Sequence, residues 1–267
     1  MSEQYVKVSG GRIFYTVAGV GDPVMMIHGN FNDHSIWDEQ ASVLSSHYQC
    51  IRYDLRGYGQ SSTPTASFSN VKDLKALVDI LGLSNVTLIG SSSGGSVAVD
   101  FSLAYPELVK ALILVAPSIH GNSYPPSLMW QGIKNFIHVR LRGREQAIAQ
   151  FLANPFWQYC FPAYAKKEAR QRVVQNMSNS RNFCRFSPKL SLAAKPYAFG
   201  RLHELPIATL IIVPGQDHPY NIRTANAAHA KIANSTIITM PGCGHFPFVE
   251  EPEEFNHHVL DFLSSLV

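Results

Sequence analysis

Gly90-Ser91-Ser92-Ser93-Gly94 places a serine between two glycines in the spacing G-x-S-x-G. An apolar run at 85–89 precedes it, and a helix-period run from Val97 to Tyr105 follows. Strand, tight turn and helix is the context in which such a serine stands on a strained bend, its hydroxyl exposed above a sheet. Spacing makes Ser92 the apex, with Ser91 and Ser93 as its flanks. A side chain at either glycine would strike the neighbouring strand or helix at so sharp a turn. A serine hydroxyl attacks an acyl carbon effectively only if a base removes its proton. Two downstream residues have suitable types: His245, after Gly242-Cys243-Gly244, and Asp217, after Pro214-Gly215-Gln216. An imidazole titrates near neutrality, so it can take the hydroxyl proton and return it to a leaving group. A carboxylate beside it would hold the ring's tautomer and stabilise the imidazolium.

These residues need elements to position them. Apolar runs at 24–27, 50–53, 86–89, 111–115, 209–213 and 236–240 read as fully buried strands. Between them, helical periodicity is expected over 36–44, over 71–81, from the serine turn to Tyr105, over 223–232 and over 252–266. Residues 5–8 and 12–17, around Gly10-Gly11, read as a β-hairpin opening an otherwise parallel sheet. Alternation of this kind makes right-handed βαβ units, whose functional groups gather at the carboxyl ends of the strands. Five strand ends carry polar or glycine-rich signals: His28-Gly29-Asn30, the stretch 54–61, the serine turn, Asp217 and His245. The rhythm stops at Ala116-Pro117. Residues 118–203 hold no convincing strand, only candidate helices at 128–139, 145–152 and 166–177. The expected organisation is a core in two parts, 1–117 and 204–267, with residues 118–203 as an inserted helical cap.

Other residues compete for the same roles. His28, at a buried strand end, reads as a hydrogen-bonded structural histidine. His218 adjoins Asp217, but adjacent side chains rarely meet. His257 and His258 fall on an amphipathic terminal helix, His120 opens the cap, and Asp54 begins a turn. Cys243 lacks a helix N-terminus to lower its pKa and reads as inert. No His or Cys set has zinc-like spacing.

Bulk composition narrows the classes further. With 267 residues, 46% hydrophobic and 15% charged, the chain is globular rather than disordered. A net charge of +3, without aromatic interleaving of basic residues, argues against nucleic acid as a partner. The start shows no secretory signal, no window approaches the roughly 18 apolar residues of a membrane span, and a cytoplasmic location is expected. The four cysteines read as free buried thiols, with a Cys160–Cys184 bridge as the alternative. Charge is uneven: residues 134–201 carry 13 Lys/Arg against Glu145 and Glu168, a surplus of 11. That surplus is either a solvated basic face or a lure for an anionic substrate, surface or partner.

Taken together, His28-Gly29, Asp54-Leu55-Arg56-Gly57-Tyr58-Gly59-Gln60-Ser61, the serine turn, Gly215-Gln216-Asp217 and Gly244-His245 resemble the α/β-hydrolase superfamily, in particular its capped esterase- and lactonase-like branch. The chain order Ser, Asp, His is also that of these enzymes. The resemblance runs from Val24 to the end of the last helix, apart from the cap. It implies an α/β fold, a mostly parallel eight-stranded sheet with helices on both faces. It also implies a Ser92-His245-Asp217 triad and an oxyanion hole made by the backbone N–H groups of Asn30 and Ser93. Epoxide hydrolases and haloalkane dehalogenases carry aspartate at the apex, so Ser92 excludes both. Ser91 departs from relatives that hold His, Gln or Asn before the nucleophile. The expected activity is cofactor-free hydrolysis of a small-molecule carboxylic ester or lactone through an acyl-enzyme, with an anionic substrate suggested by the cap's charge. Carbon–carbon cleavage of a β-diketone and a ligand receptor on the same scaffold are the alternatives.

Overall fold

The apolar runs become the strands of one sheet. In the computed structural model, which describes residues 4–183 and 185–266, eight strands lie in the order β1-β2-β4-β3-β5-β6-β7-β8. They are β1 Gln4–Val8, β2 Gly11–Ala18, β3 Pro23–Ile27, β4 Gln49–Tyr53, β5 Val86–Ser91, β6 Val109–Val115, β7 Ala208–Pro214 and β8 Ser235–Met240. The pairs β1–β2 and β2–β4 are antiparallel, and the rest are parallel. The opening hairpin turns at Ser9-Gly10, where Gly10 has φ +77°, a conformation glycine adopts without strain.

The helices are α1 Asp38–Leu44, α2 Asn70–Ile80, α3 Ser93–Ala104, α4 Pro126–Arg142, α5 Arg144–Ala153, α6 Lys167–Ser178, α7 Pro219–Lys231, α8 Pro247–Glu250 and α9 Pro252–Ser264. Alternate strand residues feed opposite faces, as the two-residue period of a strand requires. Met25 and Ile27 join the core beneath α2, α3 and α7. Val24 and Met26 join the one beneath α1 and α9. Both faces are therefore covered, which is why the parallel strands read as unbroken apolar runs.

Three local differences from the sequence expectation have physical causes. The helix expected over 36–44 begins as a 3₁₀ turn, His34–Trp37, capped by Asp33, before α1 starts. Helix α7 begins at Pro219, four residues before the expected 223, because His218 caps it and Pro219 occupies its first position. The short α8 after His245 was hidden by its apolar sequence, Pro247-Phe248-Val249.

Between β6 and β7 the chain forms α4, α5, α6 and several 3₁₀ turns, with no strand among the described residues. Cys50, Cys160 and Cys243 are free and buried; the alternative Cys160–Cys184 pairing involves Cys184, which lies outside the described residues. No described helix is long and apolar enough to cross a membrane.

Candidate active site

The chain runs from β3 to β4 on one side, then returns to place β5 on the other side of β3. Ligand sites of open α/β sheets form where strand order reverses in this way. Ser92 stands there, at the end of β5, with φ 52° and ψ −121°. For a non-glycine residue that conformation is strained, and three hydrogen bonds pin it. Ser92 N donates to Val115 O (3.0 Å), while Ser92 O accepts from Gly95 N (2.9 Å) and Ser118 N (3.0 Å). The flanking glycines follow from contact. A Cβ on Gly94 would lie 2.3 Å from Ile27 O, one on Gly90 2.6 Å from Gly94 O, and one on Gly29 2.9 Å from the Ser92 Cβ.

Beyond β8, His245 projects from the loop preceding α8 and is 7% exposed. Its Nδ1 lies 2.8 Å from Asp217 Oδ2. An acceptor at Nδ1 places the ring proton there and leaves Nε2 as the basic nitrogen. Asp217, at the end of β7, also accepts from the His218 backbone N–H (2.6 Å) and from Asn221 Nδ2, which reaches Oδ1 at 2.9 Å and Oδ2 at 3.0 Å. Asn221 Nδ2 is 3.3 Å from His245 Nδ1; both atoms carry hydrogen, so this is a packing contact.

Ser92, His245, Asn221 and Asn30 share the wall of one cavity of about 320 Å³. Its remaining wall is mostly aromatic and aliphatic, with Phe31, Tyr124, Trp157, Tyr159 and Phe246 prominent. Leu128, Met129 and Gly132 of α4 and Met177 of α6 also line it, with Asn32, Ser118, Cys160 and Pro188, so residues between β6 and β7 share the cavity with the serine. Ser93 is the first residue of α3, where backbone N–H groups have no partner within the helix and favour negative charge. Asn30 follows β3, its side-chain Oδ1 accepting from Tyr58 OH at 2.8 Å.

The competing residues are engaged elsewhere. His28 is buried, with Nδ1 2.7 Å from Gly29 O and Nε2 accepting from Leu55 N at 3.0 Å; burial lowers its pKa. His218 Nδ1 accepts from Tyr220 N at the start of α7 (3.1 Å). His120 pairs with Asp100 (2.7 Å), and His257 and His258 pair with Asp261 and Glu254 on their own helix. Asp54 braces its loop, accepting from His34 N and Gln60 N and lying 2.7 Å from His34 Nδ1. Asp33, His34 and Asp54 do come within 4.8 Å of one another. However, Asp33 already accepts from Ser35, Asn176, Asn179 and Asn182. Burial pushes the Cys243 thiol up to about 11, consistent with an inert thiol.

The basic surplus of residues 134–201 lies away from the cavity, whose described lining contains no Lys or Arg. Arg172 pairs with Glu39, Lys166 with Glu250 and Glu251, and Arg201 with Glu204. Arg185 donates to Gly59 O at 3.0 Å, and Arg170 to Pro162 O at 2.7 Å. Charge counting detects such a surplus but not its direction.

A family model described as the alpha/beta hydrolase family matches residues 24–258. The chain belongs to that family. It is a hydrolase by class, and its sheet and helices are those of the fold. Among curated relatives, a 2-hydroxy-6-oxononadienedioate/2-hydroxy-6-oxononatrienedioate hydrolase of Paraburkholderia xenovorans is 30% identical, over 98% of this chain and 96% of that protein. A 2-hydroxy-6-oxo-6-phenylhexa-2,4-dienoate hydrolase of Burkholderia cepacia is 26% identical, over 97% and 93%. Among solved structures, the esterase RhEst1 from Rhodococcus sp. superposes with a TM-score of 0.82 at 25% identity, over all of both chains.

Asn221 and Phe31 escape sequence reasoning. Asn221 carries only the weak signal of lying four residues after Asp217, one helical turn on. Phe31 carries none beyond its place after Asn30.

Proposed function

We propose that this hydrolase cleaves a neutral carboxylic ester or lactone through an acyl-enzyme on Ser92. The observation that carries the reading is the shared cavity of Ser92 and His245, with Asp217 bonded behind the imidazole. His245 Nε2 takes the Ser92 proton as Oγ attacks the acyl carbon. The oxyanion forms against the backbone N–H groups of Asn30 and Ser93. Protonated His245 then gives its proton to the departing alkoxide, and a water activated by the same nitrogen releases the acid. Asp217 stays ionised throughout, holding the tautomer. Residues 118–203 act as the lid between the two parts of the core, 1–117 and 204–267, excluding bulk water from the serine.

The same serine could serve carbon–carbon hydrolysis, and the names of curated relatives favour that second reading. Their substrates, by name, carry one carboxylate or two. A buried carboxylate is held most strongly by a paired cation, and no Lys or Arg lines this mostly apolar cavity among the described residues. That wall supports a neutral substrate over a dienoate, and likewise over the anionic ester suggested by the charge count.

Ser92→Ala tests the chemistry. Turnover of p-nitrophenyl butyrate is expected to fall about 10⁶-fold with the fold intact, and unchanged hydrolysis would overturn the assignment. Paired neutral and carboxylate-bearing esters test the substrate. A higher kcat/KM for the charged member, or dienoate cleavage exceeding ester hydrolysis, would replace this reading with the second.

A further inference from the structure

Helix α4, which lines the cavity, carries an apolar stripe that the described residues leave exposed. Met129, Trp130, Ile133, Ile137 and Leu141 are between 41% and 77% exposed. Four of them recur every fourth residue, so they lie along one side of the helix, over roughly 18 Å of its length. Soluble proteins seldom leave so continuous an apolar surface uncovered. Leu128 and Asn135 turn the opposite side into the protein.

The charges on this helix indicate what covers the stripe. Lys134, Arg140 and Arg142 lie on it, and α4 has no Asp or Glu. None of the three forms an ion pair with a described residue. Lys134 Nζ instead lies over the Trp130 ring, 5.5 Å from its centroid, joining a cation to the aromatic rim of the stripe. Two copies of α4 laid against each other would bring cations to cations. An anionic lipid surface neutralises them and takes up the apolar side chains between its headgroups.

We propose that α4 docks this protein on an anionic phospholipid surface. Met129, Trp130, Ile133, Ile137 and Leu141 enter the interface, and Lys134 and Arg140, which flank the stripe, meet the headgroup phosphates. Because Leu128, Met129 and Gly132 line the cavity, docking would bring that wall to the membrane, where apolar esters accumulate. The binding itself does not depend on the reaction assigned to Ser92.

Vesicles of phosphatidylglycerol and phosphatidylcholine, set beside pure phosphatidylcholine at about 0.15 M salt, provide the test. Trp37 and Trp157 are buried, so a blue shift of tryptophan emission on adding vesicles reports Trp130. Co-sedimentation with the anionic vesicles and that blue shift are expected, with little binding to the neutral ones. The double variant Ile133→Glu/Ile137→Glu should lose binding at least about tenfold. Lys134→Gln/Arg140→Gln should lose about thirtyfold on anionic vesicles, and raised salt should weaken binding of the native protein likewise. Both variants should hydrolyse a soluble ester at the native rate, which shows that they fold; loss of that rate would be checked by circular dichroism. Failure of the native protein to bind anionic vesicles would overturn the proposal. So would a native dimer that Ile133→Glu/Ile137→Glu converts to monomer, since a second copy would then be the occupant.

Discussion

Asn221 grips Asp217 by both carboxylate oxygens, its Nδ2 lying 2.9 Å from Oδ1 and 3.0 Å from Oδ2. In the proposed mechanism the carboxylate keeps one oxygen aimed at His245 Nδ1, and the Asn221 amide fixes the plane in which it does so. Asn221→Ala is expected to lower kcat about tenfold while KM changes little, since the lost contact orients the imidazole rather than the substrate. Steady-state kinetics on a neutral ester check the split. A matching rise in KM would make Asn221 a wall of the cavity and nothing more.

Two glycines, one at the serine turn and one on α4, should respond in opposite senses to the same substitution. A Cβ on Gly94 would meet the carbonyl oxygens of Ile27 and His28 at 2.3 and 2.7 Å. Backbone on both sides leaves no room to yield, so Gly94→Ala should destabilise by about 3 kcal/mol or fail to fold. Gly132 lies within α4 with nothing inside 4 Å of such a Cβ, and Gly132→Ala should stabilise by about 0.5–1 kcal/mol. Urea unfolding midpoints measure both.

Much of this molecule is legible in its sequence. Burial on both faces forces the strand runs to be continuously apolar. A residue at a strand's carboxyl end then stands out by polarity alone, as Asp217 does after β7. Ser92 is legible for another reason, because its turn demands glycine at fixed offsets. What stays hidden depends on distant partners. Nothing in the composition of residues 134–201 says that Arg172 reaches Glu39, 133 residues away, rather than the cavity. Asn221 likewise gains its role only once α7 starts at Pro219 and carries its amide back over Asp217.

Phe31 links the turn after Asn30 to the inserted segment. It holds φ +65°, and its ring lies 5.0 Å from that of Phe151 and 5.1 Å from that of Phe183. Removing the ring should loosen α5 and disturb the neighbouring Asn30 N–H together. Phe31→Ala is expected to cost about 2 kcal/mol of stability and about tenfold in kcat. Amide hydrogen exchange should rise over 144–183 and stay unchanged in β5–β7. Uniformly faster exchange would mean that Phe31 supports the whole fold and not this junction.

Asp33 makes the same junction sensitive to acid. Asn176, Asn179 and Asn182, all from the inserted segment, donate to its carboxylate at 2.9, 3.3 and 2.8 Å. Burial by itself would raise its pKa; the bonds from Ser35 and Asn182, together with the neighbouring His28, outweigh burial and hold it below the ordinary value of 3.8. A carboxyl whose pKa is lower in the folded state contributes stability that is fully present above its unfolded value. That stability is lost as the pH falls through the lowered one. The native protein should therefore keep this contribution above pH 3.8 and shed it below. Asp33→Asn replaces an acceptor with an amide facing donors, and near neutral pH it should be less stable by about 2–3 kcal/mol. Because the variant has no such proton to bind, the gap should narrow as the pH falls below 3.8. Thermal unfolding of both proteins across the acid range measures it. A gap of constant size down to the lowest pH would show that the asparagines hold Asp33 through packing and not through its charge.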